Sequence, residues 1–109
     1  MDLDNFYKLL IELYEETGQK TEMLEKDAAK GFQGMPGLFE KLAAVLPGWF
    51  FFIEQTGIGA KEQVLQVLQD MERAIKAEDS ILLADTLLYG LQDMAGEYIG
   101  IMEEALYGR

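Results

Sequence analysis

Apolar side chains recur along this chain mostly at steps of three and four, the spacing of one helix face. In a first segment, residues 3–30, Leu3, Phe6, Tyr7, Leu10, Leu13 and Tyr14 hold that spacing. Thr17, Thr21, Leu24 and Ala28 extend the line with weaker residues. Asp2 or Asp4 is available as N-cap, and Glu16–Lys20 and Glu22–Lys26 are i,i+4 pairs in the favourable order. Gly18 interrupts the segment where glycine costs about 1 kcal/mol against alanine, so a bend or break is expected near it. Residues 30–37 hold Gly31, Gly34, Pro36 and Gly37 and read as a connecting loop. The glycines recur every third residue, but no strand precedes them and no Gly-Lys-Ser/Thr follows, so they do not form a phosphate cradle.

A second segment, 38–55, puts Phe39, Leu42, Ala43, Leu46, Phe50 and Ile53 on one face, with a break expected at Pro47. The third, 60–77, is the cleanest: Val64, Val67, Leu68, Met71, Ala74 and Ile75 form one stripe opposite Lys61, Glu62, Gln66, Gln69, Asp70, Glu72 and Arg73. The fourth, 80–106, starts at Asp79 or Ser80 as N-cap and is too apolar for one stripe. Ala84, Leu87, Leu91, Met94, Tyr98, Ile101 and Ala105 mark a seam, while Leu83, Leu88, Ile99, Met102 and Leu106 fall outside it. A helix apolar over most of its circumference is covered on several sides, which makes this segment the expected centre. Residues 49–53 are the only candidate strand, and nothing else reads at period two to pair with them. The pattern therefore predicts a single all-α domain over residues 1–109, an antiparallel bundle of four to five helices.

Composition supports a packed core: of 109 residues, 50% are hydrophobic and 27% charged. Twenty acids against nine bases give a net charge of −11, which excludes an electrostatic grip on nucleic-acid phosphates. The charge is spread along the sequence, −4 over residues 1–30, −1 over 31–59, −2 over 60–79 and −4 over 80–109. With no cysteine and no histidine there is no thiol nucleophile, disulfide or imidazole base. Acid clusters such as Glu12, Glu15 and Glu16 lack the Glu-x-x-His pattern of a bundle di-metal centre, so no metal or cofactor is expected. The acidic start, Met1-Asp2-Leu3-Asp4, does not read as a secretory signal, and the apolar run 42–53 is short of the ~20 residues that span a bilayer. The expectation is a soluble, cytoplasmic protein that binds neither membrane nor nucleic acid.

Four consecutive aromatics, Trp49, Phe50, Phe51 and Phe52, are the most unusual feature. On a helix they sweep about 300°, more than one core face holds. Either neighbouring helices bury them all, or a partner, a second copy or a small-molecule pocket covers the remainder. With Leu88, Tyr98 and Met102, they make up the candidate interface. Asp85 interrupts the apolar run 81–91. It is either a buried acid with a raised pKa, suited to proton transfer, or a structural group paired with Arg73 or Lys76. Gly96 and Gly100, one turn apart, permit a close helix crossing within the chain or across a dimer. Internal methionines at 23, 35, 71, 94 and 102 suit either irregular core gaps or an adaptable groove.

The stretch Glu78-Asp79-Ser80-Ile81-Leu82-Leu83-Ala84-Asp85-Thr86-Leu87-Leu88-Tyr89-Gly90-Leu91 resembles a pattern in small uncharacterised all-helical proteins of Gram-positive bacteria. Ala84, Asp85, Leu87, Tyr89 and Leu91 carry the match; Thr86, Leu88 and Gly90 depart from it. The resemblance implies a small helical bacterial protein and transfers no catalytic residue.

The functional expectation is a non-enzymatic protein–protein interaction module, a chaperone- or adaptor-like bundle with a protein partner or itself as a homodimer. One alternative is an acidic surface that mimics nucleic acid for a basic partner. Another is a carboxylate-based enzyme or small-ligand binder around Asp85 with Tyr89 or Tyr98.

Overall fold

The computed structural model describes residues 2–108, and among them there are helices and no strands. The order is α1 (Leu3–Lys26), α2 (Ala28–Gln33), α3 (Met35–Thr56), α4 (Lys61–Lys76), α5 (Ser80–Asp85), a π-helical stretch (Thr86–Gln92) and α6 (Asp93–Tyr107). The last three are continuous and form one long C-terminal helix. The body measures 41 × 23 × 20 Å, and α1, at about 1.5 Å per residue, spans most of the long axis.

The ends of the helices follow from local chemistry. Asp2 caps α1 by accepting from the Asp4 and Asn5 N–H groups at 3.0 and 3.3 Å. Gly57 ends α3 in the left-handed conformation, φ 70°, its N–H donating to the Ile53 carbonyl. Asp79, rather than Ser80, caps α5 by accepting from Leu82 N–H at 3.0 Å.

Two expected interruptions do not occur. α1 passes straight through Gly18. α3 passes through Pro47, and the Ala43 carbonyl deprived of its donor belongs to an exposed residue that water can serve. The expected loop at 30–37 is mostly helix. Asp27 ends α1 in an extended conformation and caps α2 through Lys30 N–H at 3.2 Å, so the break falls there instead. Gly31 lets α2 fold against α1: a Cβ at 31 would lie 2.5 Å from Leu24 Cδ2 and 2.8 Å from Leu24 Cα. Pro36 sits in the first turn of α3, where no N–H is needed.

The centre is shared. α1 packs against α2, α3 and all three parts of the C-terminal helix, and α4 packs on the other side of α5 and the π stretch. Along the C-terminal helix the buried line is Leu83, Leu87, Leu91, Ala95, Tyr98 and Met102, with Ala84 and Met94 beside it. Leu83 and Met102 therefore belong to the core, whereas Ala105 is exposed. The reason is the π stretch. Its i→i+5 bonding puts more residues in a turn than 3.6, so side chains four apart stay on one face instead of drifting around it.

Candidate functional site

The four aromatics lie on regular helix and divide by direction. Trp49 and Phe52 point into the core, with Trp49 wholly buried. Trp49 meets Tyr98 edge-on at 5.3 Å between ring centroids, and Phe52 lies 5.7 Å from Phe6 and 6.1 Å from Tyr98. Phe50 is half-buried beneath the Lys61 ammonium, 5.9 Å from its centroid. Only Phe51 is exposed, at 41%. Tyr98 and Met102 are also core, and Leu88 is half-buried. Of the seven residues expected at an interface, Trp49, Phe52, Tyr98 and Met102 are thus inside a single copy. The burial comes from Phe6 of α1 and Tyr98 of α6, which a helical wheel of α3 does not show.

Asp85 is exposed, so the burial that made it a candidate acid is absent. Its suggested partners are engaged elsewhere, Arg73 with Asp70 at 3.4 Å and Lys76 with Glu72 at 2.7 Å. The latter contact holds the Glu72 carboxyl below the ordinary carboxylate range. Among the described residues no group of three acids is placed to hold a metal ion. Gly96 serves an intrachain crossing, its would-be Cβ 3.3 Å from the Tyr14 ring of α1, whereas Gly100 faces open space. Met35, Met71, Met94 and Met102 fill the core, and Met23 is exposed.

An open, largely apolar cleft lies elsewhere. α3 and α4 touch near their connector, through the Glu54–Lys61 ion pair and Phe50–Lys61, and do not pack closely beyond it. Between them runs a cleft of about 440 Å³, lined by Phe39, Leu42, Ala43 and Leu46 of α3 and Leu68, Met71, Glu72, Ile75 and Lys76 of α4. That volume is within the range of ligand sites, roughly 300–1,000 Å³. Leu42 and Met71 are buried, Leu46, Leu68 and Ile75 half-buried, and Phe39 is 40% exposed. The Glu72–Lys76 pair forms the polar part of the lining.

The apolar stripe legible on α3 in the sequence, Phe39–Leu42–Ala43–Leu46, is a cleft wall more than a core face. The buried face of α3 is rotated from it, to Met35, Leu38, Leu42, Val45, Trp49, Phe52 and Ile53. By length and composition the helical stretch Ala28–Thr56 is apolar enough to cross a membrane, and only 33% of its most apolar 18-residue window is buried in the protein.

The acids, evenly spread in sequence, are uneven in space. The C-terminal helix carries Asp85, Asp93, Glu97, Glu103 and Glu104 and no base, whereas α4 balances Glu62, Asp70 and Glu72 against Lys61, Arg73 and Lys76. No family model, curated protein or solved structure matches the chain.

Proposed function

We propose that this protein is a non-enzymatic interaction module whose α3–α4 cleft receives an amphipathic α-helix. The observation that carries this reading is the matched spacing of the two walls. On α3 the lining residues are 39, 42, 43 and 46; on α4 they are 68, 71, 72 and 75, with Lys76 beside them. Both are i, i+3, i+4, i+7 stripes, each about 10 Å long, or two helical turns. Two such ridges side by side form a trough for a third helix, which would close the open side of the bundle. The absence of any thiol or imidazole in the sequence supports binding over catalysis.

The nucleic-acid-mimic alternative draws on the exposed acids Asp85, Asp93, Glu97 and Glu104 of the C-terminal helix. They are spread over about 28 Å, whereas one DNA strand places a phosphate every ~3.4 Å of axis, so the charge density is several-fold too low.

The test is fluorescence anisotropy of a labelled synthetic amphipathic helix of leucine, alanine and glutamine, with a sequence-scrambled peptide as control. Saturable binding of the amphipathic peptide alone, lost in Leu68→Glu while circular dichroism is unchanged, supports the reading. Equal binding of both peptides, or no effect of Leu68→Glu, overturns it.

A further inference from the structure

We infer that the helix seated in the cleft is α3 of a second copy of this chain, so that two copies associate about a twofold axis through their α3–α4 faces. This rests on the reading of the cleft as a helix acceptor. The first argument is where the charge lies. α1 carries Asp4, Glu12, Glu15, Glu16, Glu22 and Glu25 against Lys8, Lys20 and Lys26, and the C-terminal helix carries five acids and no base. Together they hold −8 of the chain's −11, while α3 and α4 together hold −1. Two copies meeting through their acidic halves would repel one another. Meeting through α3 and α4 brings near-neutral surfaces together and points the acidic halves apart. The same near-neutrality gives the cleft walls no preference for a cationic partner helix.

The second argument is uncovered apolar surface on α3. Only a third of the most apolar window of the α2–α3 stretch is buried in one copy. On the cleft side of α3 the exposed Ala43 is small and lets another helix backbone come close. Phe39, 40% exposed, lines the end of the cleft away from the α3–α4 connector. A twofold contact puts each Phe39 into the partner copy's cleft, between α3 and α4, as isologous symmetry requires. Interfaces of this kind are anchored by aromatics in a largely apolar setting, and here Phe39 is the aromatic, with the Glu72–Lys76 ion pair as the polar part of the lining.

Sedimentation equilibrium from micromolar to submillimolar protein tests the inference. The expected result is twice the chain mass for the native protein and for Ile81→Glu, a control on α5 where residue 81 is 76% exposed. Phe39→Glu and Leu68→Glu should each halve the mass to a single chain, with unchanged circular dichroism. Three results overturn it: a native chain monomeric throughout, a dimer that survives both cleft substitutions, or dissociation by Ile81→Glu. A monomer that still binds the synthetic amphipathic helix removes this inference and leaves the proposed function standing; one that binds no helix removes both. A monomer that floats with phosphatidylcholine vesicles would assign the α3 surface to a membrane instead.

Discussion

The hydroxyl of Tyr98 occupies the space that a side chain at position 59 would need. A Cβ built on Gly59 would lie 1.6 Å from the Tyr98 oxygen and 2.7 Å from its Cζ, and Gly59 has φ 83°. The connector between α3 and α4 is thereby pinned to α6 through a contact that only glycine permits. Gly59→Ala should cost about 3 kcal/mol, combining the left-handed backbone and the overlap. Urea unfolding of Gly59→Ala, Tyr98→Phe and the double variant forms a cycle. Loss of the hydroxyl should recover part of the cost, and strict additivity would count against the contact.

Tyr98 is also expensive to bury. Neither its hydroxyl nor Trp49 Nε1 makes a hydrogen bond of normal geometry among the described residues. Burial raises the Tyr98 phenol above its ordinary value of 10.0; the nearby Trp49 N–H and Ala60 backbone offset this only in part. Tyr98→Phe should therefore stabilise the protein by about 1 kcal/mol near neutral pH, since it removes an unsatisfied buried hydroxyl. The pH dependence has a definite sign. For an acid whose folded pKa is raised, the linked stability is complete below the unfolded value, here 10.0, and is lost as pH rises through the folded one. Unfolding midpoints measured from pH 8 upward (roughly the range in which tyrosine titrates) should fall more steeply for the native chain than for Tyr98→Phe.

Two helical glycines face neighbours of different stiffness. At Gly31 the obstacle includes Leu24 Cα, which is backbone and cannot turn aside. At Gly18 it is the Gln92 side-chain amide, 2.7 Å from the would-be Cβ, at the far end of a flexible side chain. Gly31→Ala should cost about 2 kcal/mol by forcing α2 off α1. Gly18→Ala should gain about 0.5 kcal/mol, as helix propensity outweighs the exposed Gln92–Tyr14 hydrogen bond of 3.3 Å. Thermal unfolding of the pair checks both signs.

Gly100 sits in α6 with nothing within 4 Å of a Cβ. Gly100→Ala should raise stability by roughly 0.5–1 kcal/mol. It should leave the sedimentation mass unchanged, because the α3–α4 face carries the association. A drop in mass would move the contact to α6.

Much of this molecule is written locally. The helices at 61–76 and 80–107, the caps at Asp2 and Asp79 and the glycine stop at Gly57 follow from side-chain spacing and from hydrogen bonds spanning four residues or fewer. All of these are visible in a linear sequence. Other features depend on what arrives from far along the chain. Leu24 beneath Gly31 turns an apparent loop into α2, and exposure of Ala43 allows α3 to continue past Pro47. Tyr98 and Phe6 decide that Trp49 and Phe52 face inward while Phe51 does not, and the π stretch resets the buried line of the C-terminal helix. The cleft was hidden for the same reason. An apolar stripe at steps of three and four looks identical whether it lines a core or one wall of an open trough, because periodicity records which residues share a face and not how far away the next helix stands.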